Sequence, residues 1–391
     1  MKILFLISVY GHGRGGHFHS LNHISKKIGE NNDVKIVSFG PGKSNIIESN
    51  PYFAEHIPFN GFNFYNLKTE ITKLTYKFNP DIYHCFDVGS YNTIRLLISS
   101  KTHKIILNKC GGPNPIQYPH IHNLILFSSE NLMWFKNQKK YQYSNIHLIP
   151  NRVKSILMDM TFHPIAKEPG EFVFLRICRI GAAYNKSIID SIMLIEKLIL
   201  KDIINIKLYI VGIIEDYDIF NKLNEHHLVK NGRVIFLTDT AYTTEASKMI
   251  YISDAVIGTG RGLMEAASLS IPLLTIDRDG NIPVLLNSDN FFEAFETNFS
   301  ERNVFNNNSY DSNINNIVLL IKNKIYYSEI SKFSKQAFDE YFNIDKVTKA
   351  YHEAYASSIH GKKKIMEDIF IIMRSFIKFF KNNLSNEKEI L

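Results

Sequence analysis

The 391-residue sequence predicts an α/β protein built from two doubly wound parallel-sheet domains. Three observations predict it. Short apolar runs of strand length alternate with helical patterns along most of the chain, as in parallel strands covered by helices. The alternation stops at Pro150–Gly170, where Pro164 and Pro169 add further breakers, and then restarts. The glycine-rich loop at 258–262 joins a strand to a helix, where backbone N–H groups can meet an anion. The length suffices for two domains with real cores, and 45% hydrophobic against 21% charged residues is the balance of a folded chain.

In the first half, strands are read at Ile3–Val9, Val34–Phe39, Ile82–Cys85, Ile105–Asn108, Leu124–Ser128 and His147–Ile149. Helical patterns fall at His19–Glu30 and Ser90–Ser99. The opening MKILFLISVY is apolar like a secretion signal, but its run is short and leads into Gly-His-Gly-Arg-Gly-Gly-His rather than a small-residue cleavage site. It reads as a first buried strand. No apolar stretch is long enough to span a bilayer. The second half gives strands at Phe172–Cys178, Lys207–Val211, Val234–Leu237, Ala255–Ile257 and Leu273–Ile276, with helices at Ser187–Leu200 and Gly262–Leu269. Asn303–Asn316, rich in asparagine and serine, reads as a loop. Two Rossmann-like domains facing each other across a cleft follow from this pattern.

The tail differs. After Lys362–Lys364, residues Ile365, Ile369, Ile372, Phe376 and Phe379/Phe380 recur at helical spacing among Lys and Arg. This is a C-terminal basic amphipathic helix, fit either for an anionic membrane surface or for packing back on the first domain, and the cations around its aromatic face favour the membrane. The net charge of +7 suits anionic partners but is modest for this length. Cys85, Cys110 and Cys178 lie far apart with no Cys-x-x-Cys pair, so they indicate buried thiols in a reducing compartment. His12, His17, His19 and His23 cluster, and His19 and His23 have zinc-ligand spacing, but no third ligand is placed; no metal is expected.

The chemistry concentrates in two loops. In DAVIGTGRGLMEAASLSIP (Asp254–Pro272), a strand meets the loop Gly258–Thr259–Gly260–Arg261–Gly262, and Glu265 follows early in the helix. The glycines let a ligand approach, and the carboxylate can accept bonds from sugar hydroxyls. In FLRICRIGAAYNKSI, Arg179 ends a strand and Lys186 opens the next helix. Two cations around a strand-to-helix loop suit a diphosphate, Arg gripping oxygens in pairs and Lys acting as a point charge.

Taken in order, these motifs are similar to those of the GT-B glycosyltransferases of the retaining group called glycosyltransferase family 4. RGGHFHSLNHISKKI resembles the family's Gly-Gly loop and first helix, PDIYHCFD its Pro-Asp-Val-Val-His strand and HLIPNRV its entry to the second domain. CRIGAAYNKS resembles its phosphate motif, KLYIVG a following strand and RGLMEAASLSIPLL its nucleotide-sugar loop. The implied domain limits are 1–150 on the acceptor side, a linker 151–170, a nucleotide-sugar domain 171–340, a helix at 341–361 crossing back to the first domain and the tail 362–391.

The resemblance implies that Arg179 and Lys186 hold the donor diphosphate and offset leaving-group charge. It implies that Glu265 binds the ribose, that Gly260, Arg261, Gly262 and Leu263 approach phosphates or sugar through their backbone, and that Gly15 and Gly16 approach from the first domain. His17, His84, Asp87 and Lys109 are candidates for the acceptor side. The family's earlier glutamate, eight positions before the one matching Glu265, is Ile257 here, which leaves Thr259 or backbone groups for the donor sugar.

The reading is transfer of a sugar from a UDP- or GDP-sugar to a glycan or lipid-linked oligosaccharide, with retention, in bacterial surface polysaccharide synthesis. It places a hexosyltransferase-type enzyme in the cytoplasm or on the inner face of the membrane, with no cofactor and no nucleic-acid partner. Two alternatives stay open: a nucleotide-sugar 2-epimerase of the same two-domain plan, and a non-catalytic nucleotide- or carbohydrate-binding protein.

Overall fold

A computed structural model describes residues 1–157, 165–306, 309–362 and 364–390. The chain begins β1 (Lys2–Ser8), α1 (Gly16–Gly29), β2 (Asp33–Gly40), α2 (Asn45–Glu48), β3 (Phe53–Pro58), α3 (Phe64–Phe78), β4 (Ile82–Cys85) and α4 (Val88–Leu97). It continues with β5 (Lys104–Lys109), β6 (Asn123–Leu126), α5 (Ser129–Lys136) and β7 (Asn145–Leu148). Next come β8 (Phe172–Ile177), α6 (Asn185–Ile199), β9 (Ile206–Val211), α7 (Tyr217–Asn224), α8 (His227–Lys230), β10 (Val234–Leu237), α9 (Thr240–Thr243), β11 (Ala255–Gly258) and α10 (Arg261–Ser268). The last elements are β12 (Leu273–Thr275), β13 (Val284–Leu285), α11 (Phe291–Glu296), α12 (Tyr310–Lys322), α13 (Lys324–Ala337), α14 (Thr348–Ala356) and α15 (Ile369–Ile390). Two compact units result: Met1–Arg152 with Ile344–Leu391, and Val153–Asn343. Pro164, one of the breakers expected in the linker, lies outside the described residues.

The first unit is a seven-stranded sheet, β3-β2-β1-β4-β5-β6-β7, parallel throughout. A strand covered on both faces must be apolar at every position, and β1 is buried from Ile3 to Ser8. Side chains alternate across the sheet. Ile3, Phe5 and Ile7 join Leu21 and Ile24 of α1 and Tyr351 and Tyr355 of α14 on one face. Leu4 and Leu6 join Leu67 and Ile71 of α3, Tyr91 and Ile94 of α4, and Phe379 of α15 on the other. Strand order reverses between β1 and β4, which creates a switch point at their carboxyl ends.

The second unit repeats the plan with six strands, β10-β9-β8-β11-β12-β13, parallel except for the last pair. Its switch point lies between β8 and β11. Phe172, Phe174, Ala255 and Ile257 face one cluster with α6, while Val173, Leu175 and Val256 face another with α10.

Several elements depart from expectation. Strand β3 and helix α3 were not read from the sequence, although Leu67, Ile71 and Phe78 of α3 are buried at helical spacing. The loop expected at Asn303–Asn316 is half helix: Ser309 caps α12 by accepting from the Ser312 backbone, and Asn313 is buried, donating to Pro283 O and accepting from Leu285 N. Positions 307 and 308 of that stretch lie outside the described residues. The tail helix α15 packs on the first unit, as the second of its two readings held, through Ile372 and Phe379, and Phe376 packs against the same core.

Candidate functional site

The carboxyl ends of β8 and β11 in the second unit gather most of the residues singled out above. Arg179 stands two residues beyond β8, where the loops after β8 and β9 continue to pair: Ile180 N–H donates to Ile213 O, and Glu215 N–H donates to Ile180 O. Gly212 makes this possible, because a Cβ there would fall 1.7 Å from Cys178 O. Arg179 Nη1 lies 2.6 Å from Glu215 Oε1, and its guanidinium lies 5.4 Å from the Tyr184 ring centroid. Contact with Tyr184 and then Glu215 raises its already high pKa.

Lys186 occupies the first turn of α6. Its ammonium pairs with Asp190 Oδ2 one turn on, at 2.6 Å, and donates to Gly280 O at 2.8 Å in the loop after β12. Burial pushes the Asp190 carboxyl above its ordinary range, against the pull of Lys186. Burial likewise raises Asp277. Both cations keep about half of their side-chain surface exposed, so these ion pairs are weak and an anion can exchange with them.

The glycine loop is built as its sequence demands. Gly260 caps α10 with φ +52° and ψ −122°, a conformation for which a Cβ is a steric burden, and its N–H donates to Phe299 O. Neither α6 nor α10 receives a side-chain bond from its capping residue, and neither has an acidic residue in its first turn. Two helix starts of this kind, flanking a switch point, attract a multiply charged anion. Thr259, Arg261 and Gly262 are partly exposed, and a Cβ on Gly262 would meet nothing within 4 Å. Leu263 buries its side chain in the core, which leaves only its backbone for a ligand. Glu265 is mostly buried and pairs with Arg261 Nη2 at 2.6 Å.

Two residues at this edge went unnoticed in the sequence. Arg176, fully buried in β8, donates to Ser187 Oγ and lies 3.2 Å from Glu301 Oε1. Its register partner on β11 is Ile257, the position without the family's glutamate. Glu301, one-third exposed, comes from the loop after α11 to pair with this arginine. An arginine inside the apolar run FVFLRI was a legible signal for half of this pair; nothing local in the sequence marks Glu301.

The first-unit candidates fare unevenly. Gly15 caps α1, Gly16 is exposed, and His17 stacks on Phe18 with centroids 4.2 Å apart. Burial lowers the His17 pKa, with Asp87 opposing and Lys378 of α15 adding to the shift. Asp87, partly exposed, caps α4 by accepting from Ser90 N, and it also accepts from Ser8 N and Oγ, tying β1 to β4. His84 and Lys109 correct the expectation. His84 is wholly buried between Phe5 and Phe86, with Nδ1 3.0 Å from Tyr355 Oη, and burial depresses its pKa to about 3. It shares the inward face of its register partner Phe5 and cannot reach an acceptor. Lys109 is turned into its own loop, donating to Gly111 O, Gly112 O and Asn131 Oδ1. Its charge serves that loop. Among the described residues, no group of three His, Cys, Asp or Glu side chains is arranged to hold a metal.

No protein-family model and no curated protein matches the sequence. Solved structures do match. HepE of Anabaena, in complex with UDP-glucose, is 14% identical, with 91% of this chain and all of that one covered at a TM-score of 0.61. A glycosyltransferase from Rickettsia africae is also 14% identical, with 90% and 97% covered at 0.63. A putative UDP-N-acetylglucosamine 2-epimerase from Listeria monocytogenes is 12% identical, with 94% and 96% covered at 0.54. The likeness spans both units, and the chain has the α/β GT-B fold of these glycosyltransferases.

Proposed function

We propose that the protein is a glycosyltransferase that takes its sugar from a nucleotide-diphosphate donor. One observation carries the reading: Arg179, Lys186, Glu265 and two helix starts converge on the switch-point edge of the second unit. A UDP- or GDP-sugar fits this chemistry. Arg179 and Lys186 exchange their carboxylate partners for the diphosphate, Glu265 accepts from the ribose, and the backbone from Gly260 to Leu263 meets phosphate or sugar oxygens. Glu301 is positioned to accept from a sugar hydroxyl.

In the step itself, the bond between the anomeric carbon and the phosphate oxygen breaks with its electron pair going to the diphosphate. A bond forms to a glycan hydroxyl oxygen on the same face, and the hydroxyl proton passes to the leaving phosphate. The two cations offset the charge that develops there, and because the leaving phosphate takes the proton the step needs no separate carboxylate base. The acceptor is a glycan or lipid-linked oligosaccharide of a bacterial surface polysaccharide, met by the first unit around Gly15, Gly16 and His17.

The epimerase relative supplies a second reading, and product analysis separates the two. Incubation with a panel of UDP- and GDP-sugars, with and without membrane extract, is expected to release nucleoside diphosphate slowly from one donor and faster with acceptor. Conversion of the donor into its 2-epimer without release would assign the epimerase. Tight binding with no turnover would assign a binding protein.

A further inference from the structure

The tail helix α15 has three faces. One is buried against the first unit through Ile372 and Phe379, with Phe379 4.7 Å from Tyr10 and 4.9 Å from Phe59, ring to ring. Asn92 donates to Ser375 Oγ, and Asp368, just before the helix, is clasped by Arg95 at 2.7 Å and His120 at 2.9 Å. A second face is apolar yet exposed. Phe370, Met373, Ile377, Phe380 and Leu384 recur every three and four residues, and Met366 continues the row one turn earlier. Phe370 is 80% exposed although the same helix buries Phe379 completely. The row extends beyond the helix: Phe380 meets Phe62 at 4.8 Å, and Phe62 and Tyr65 at the start of α3 are both largely exposed. Along the other edge of the row lie Arg374, Lys378 and Lys381, all exposed.

We infer that this composite face, α15 with Phe62 and Tyr65, lies on the surface of an anionic bilayer. An apolar row edged by cations, fixed parallel to the surface that carries it, matches an interface with hydrocarbon below and anionic headgroups beside it. Charge argues against a second copy of the chain as the occupant. Between Ile369 and Leu384 there are three cations and no carboxylate, and Glu367 beside Met366 is engaged by Lys364 and His120, so two such faces brought together would repel. Glu387 and Glu389 come only after the row ends. The helix is held on its unit by buried contacts, so the face is preformed and binding does not require the tail to unfold. Among the described residues no helix is long and apolar enough to cross a membrane, which makes this attachment peripheral in kind.

Co-sedimentation of the full-length protein with vesicles tests the inference without any glycosyl donor. Vesicles of equal parts phosphatidylglycerol and phosphatidylcholine are expected to bind the protein, pure phosphatidylcholine far less, and added salt is expected to weaken the difference. Phe370→Glu with Ile377→Glu should lower partitioning by more than about tenfold, and each of Arg374→Glu and Lys381→Glu by about fivefold or more. These side chains are exposed, so the variants should keep the wild-type melting temperature and UDP affinity. Absence of wild-type binding to anionic vesicles, or binding that the double variant leaves unchanged, overturns the inference. A dimer seen by light scattering, dissolved by the double variant and indifferent to vesicles, overturns it in favour of a second copy. None of these outcomes depends on the donor site.

Discussion

His84 illustrates how burial turns a reactive side chain into a structural one. With its ring in the core and its pKa near 3, it stays neutral in the folded protein across the range where a solvated histidine takes a proton. The unfolded chain therefore binds one more proton between about pH 6.5 and pH 3, and folding stability falls as pH drops through that window. The slope from this residue is about 1.4 kcal/mol per pH unit. Urea unfolding at stepped pH should show it, and His84→Phe should flatten it. The sequence offered His84, Asp87 and Lys109 as equals because each ends or follows a strand. Only register and loop geometry decide whether such a residue points upward to a ligand or sideways into the core. The place of Glu265 on α10 was legible because a strand, a glycine loop and a helix fix it, and its role at the ribose is part of the proposed function. Its substitution Glu265→Ala should weaken UDP binding about tenfold, as expected for a lost charge-assisted bond, and should leave the binding of 2′,3′-dideoxy-UDP unchanged in titration calorimetry.

The strands read most plainly from the sequence were those whose burial is uniform. β1, β4, β6 and β8 are short apolar runs because helices cover both of their faces, and such runs are visible in a single sequence. Strand β3, at the sheet edge, alternates too weakly to be seen, and α12 was hidden because Asn313 serves as a buried bracket where an asparagine ordinarily signals a turn. The docking of α15 was half legible. Its periodicity announced a helix, but the anchor that seats it, Asp368 among Arg95, His120 and Lys140, depends on partners some 230 to 270 residues away. Burial alone would raise the Asp368 pKa; Arg95 and the His120 backbone outweigh it and hold the carboxyl below its usual range. Its contribution is therefore complete above about pH 3.9, the ordinary aspartate value, and is lost as pH falls through the depressed one. Asp368→Asn should destabilise the first unit by about 3 kcal/mol at neutral pH, since it strands a buried guanidinium. Thermal unfolding measures the loss, and the gap between variant and wild type should close on acidification.

At the scale of the molecule, one plan is used twice. Each unit is a parallel sheet with a switch point, and each switch point is reached by a glycine loop followed by a helix. The two were legible as a pair because the alternation of strand and helix restarts after Gly170. Their equipment differs. The second unit brings cations, a carboxylate and two helix starts to its edge, while the first joins β1 to β4 through Asp87 and carries the α15 surface. Under the proposed function, that division gives the donor to the second unit. Titration of UDP and GDP into the wild-type protein, Arg179→Ala and Lys186→Ala tests the assignment most directly. One nucleotide should bind the wild type, and each variant should lose about tenfold to a hundredfold in affinity with unchanged melting temperature. Equal affinity in all three proteins, or no nucleotide binding by the wild type, would contradict it.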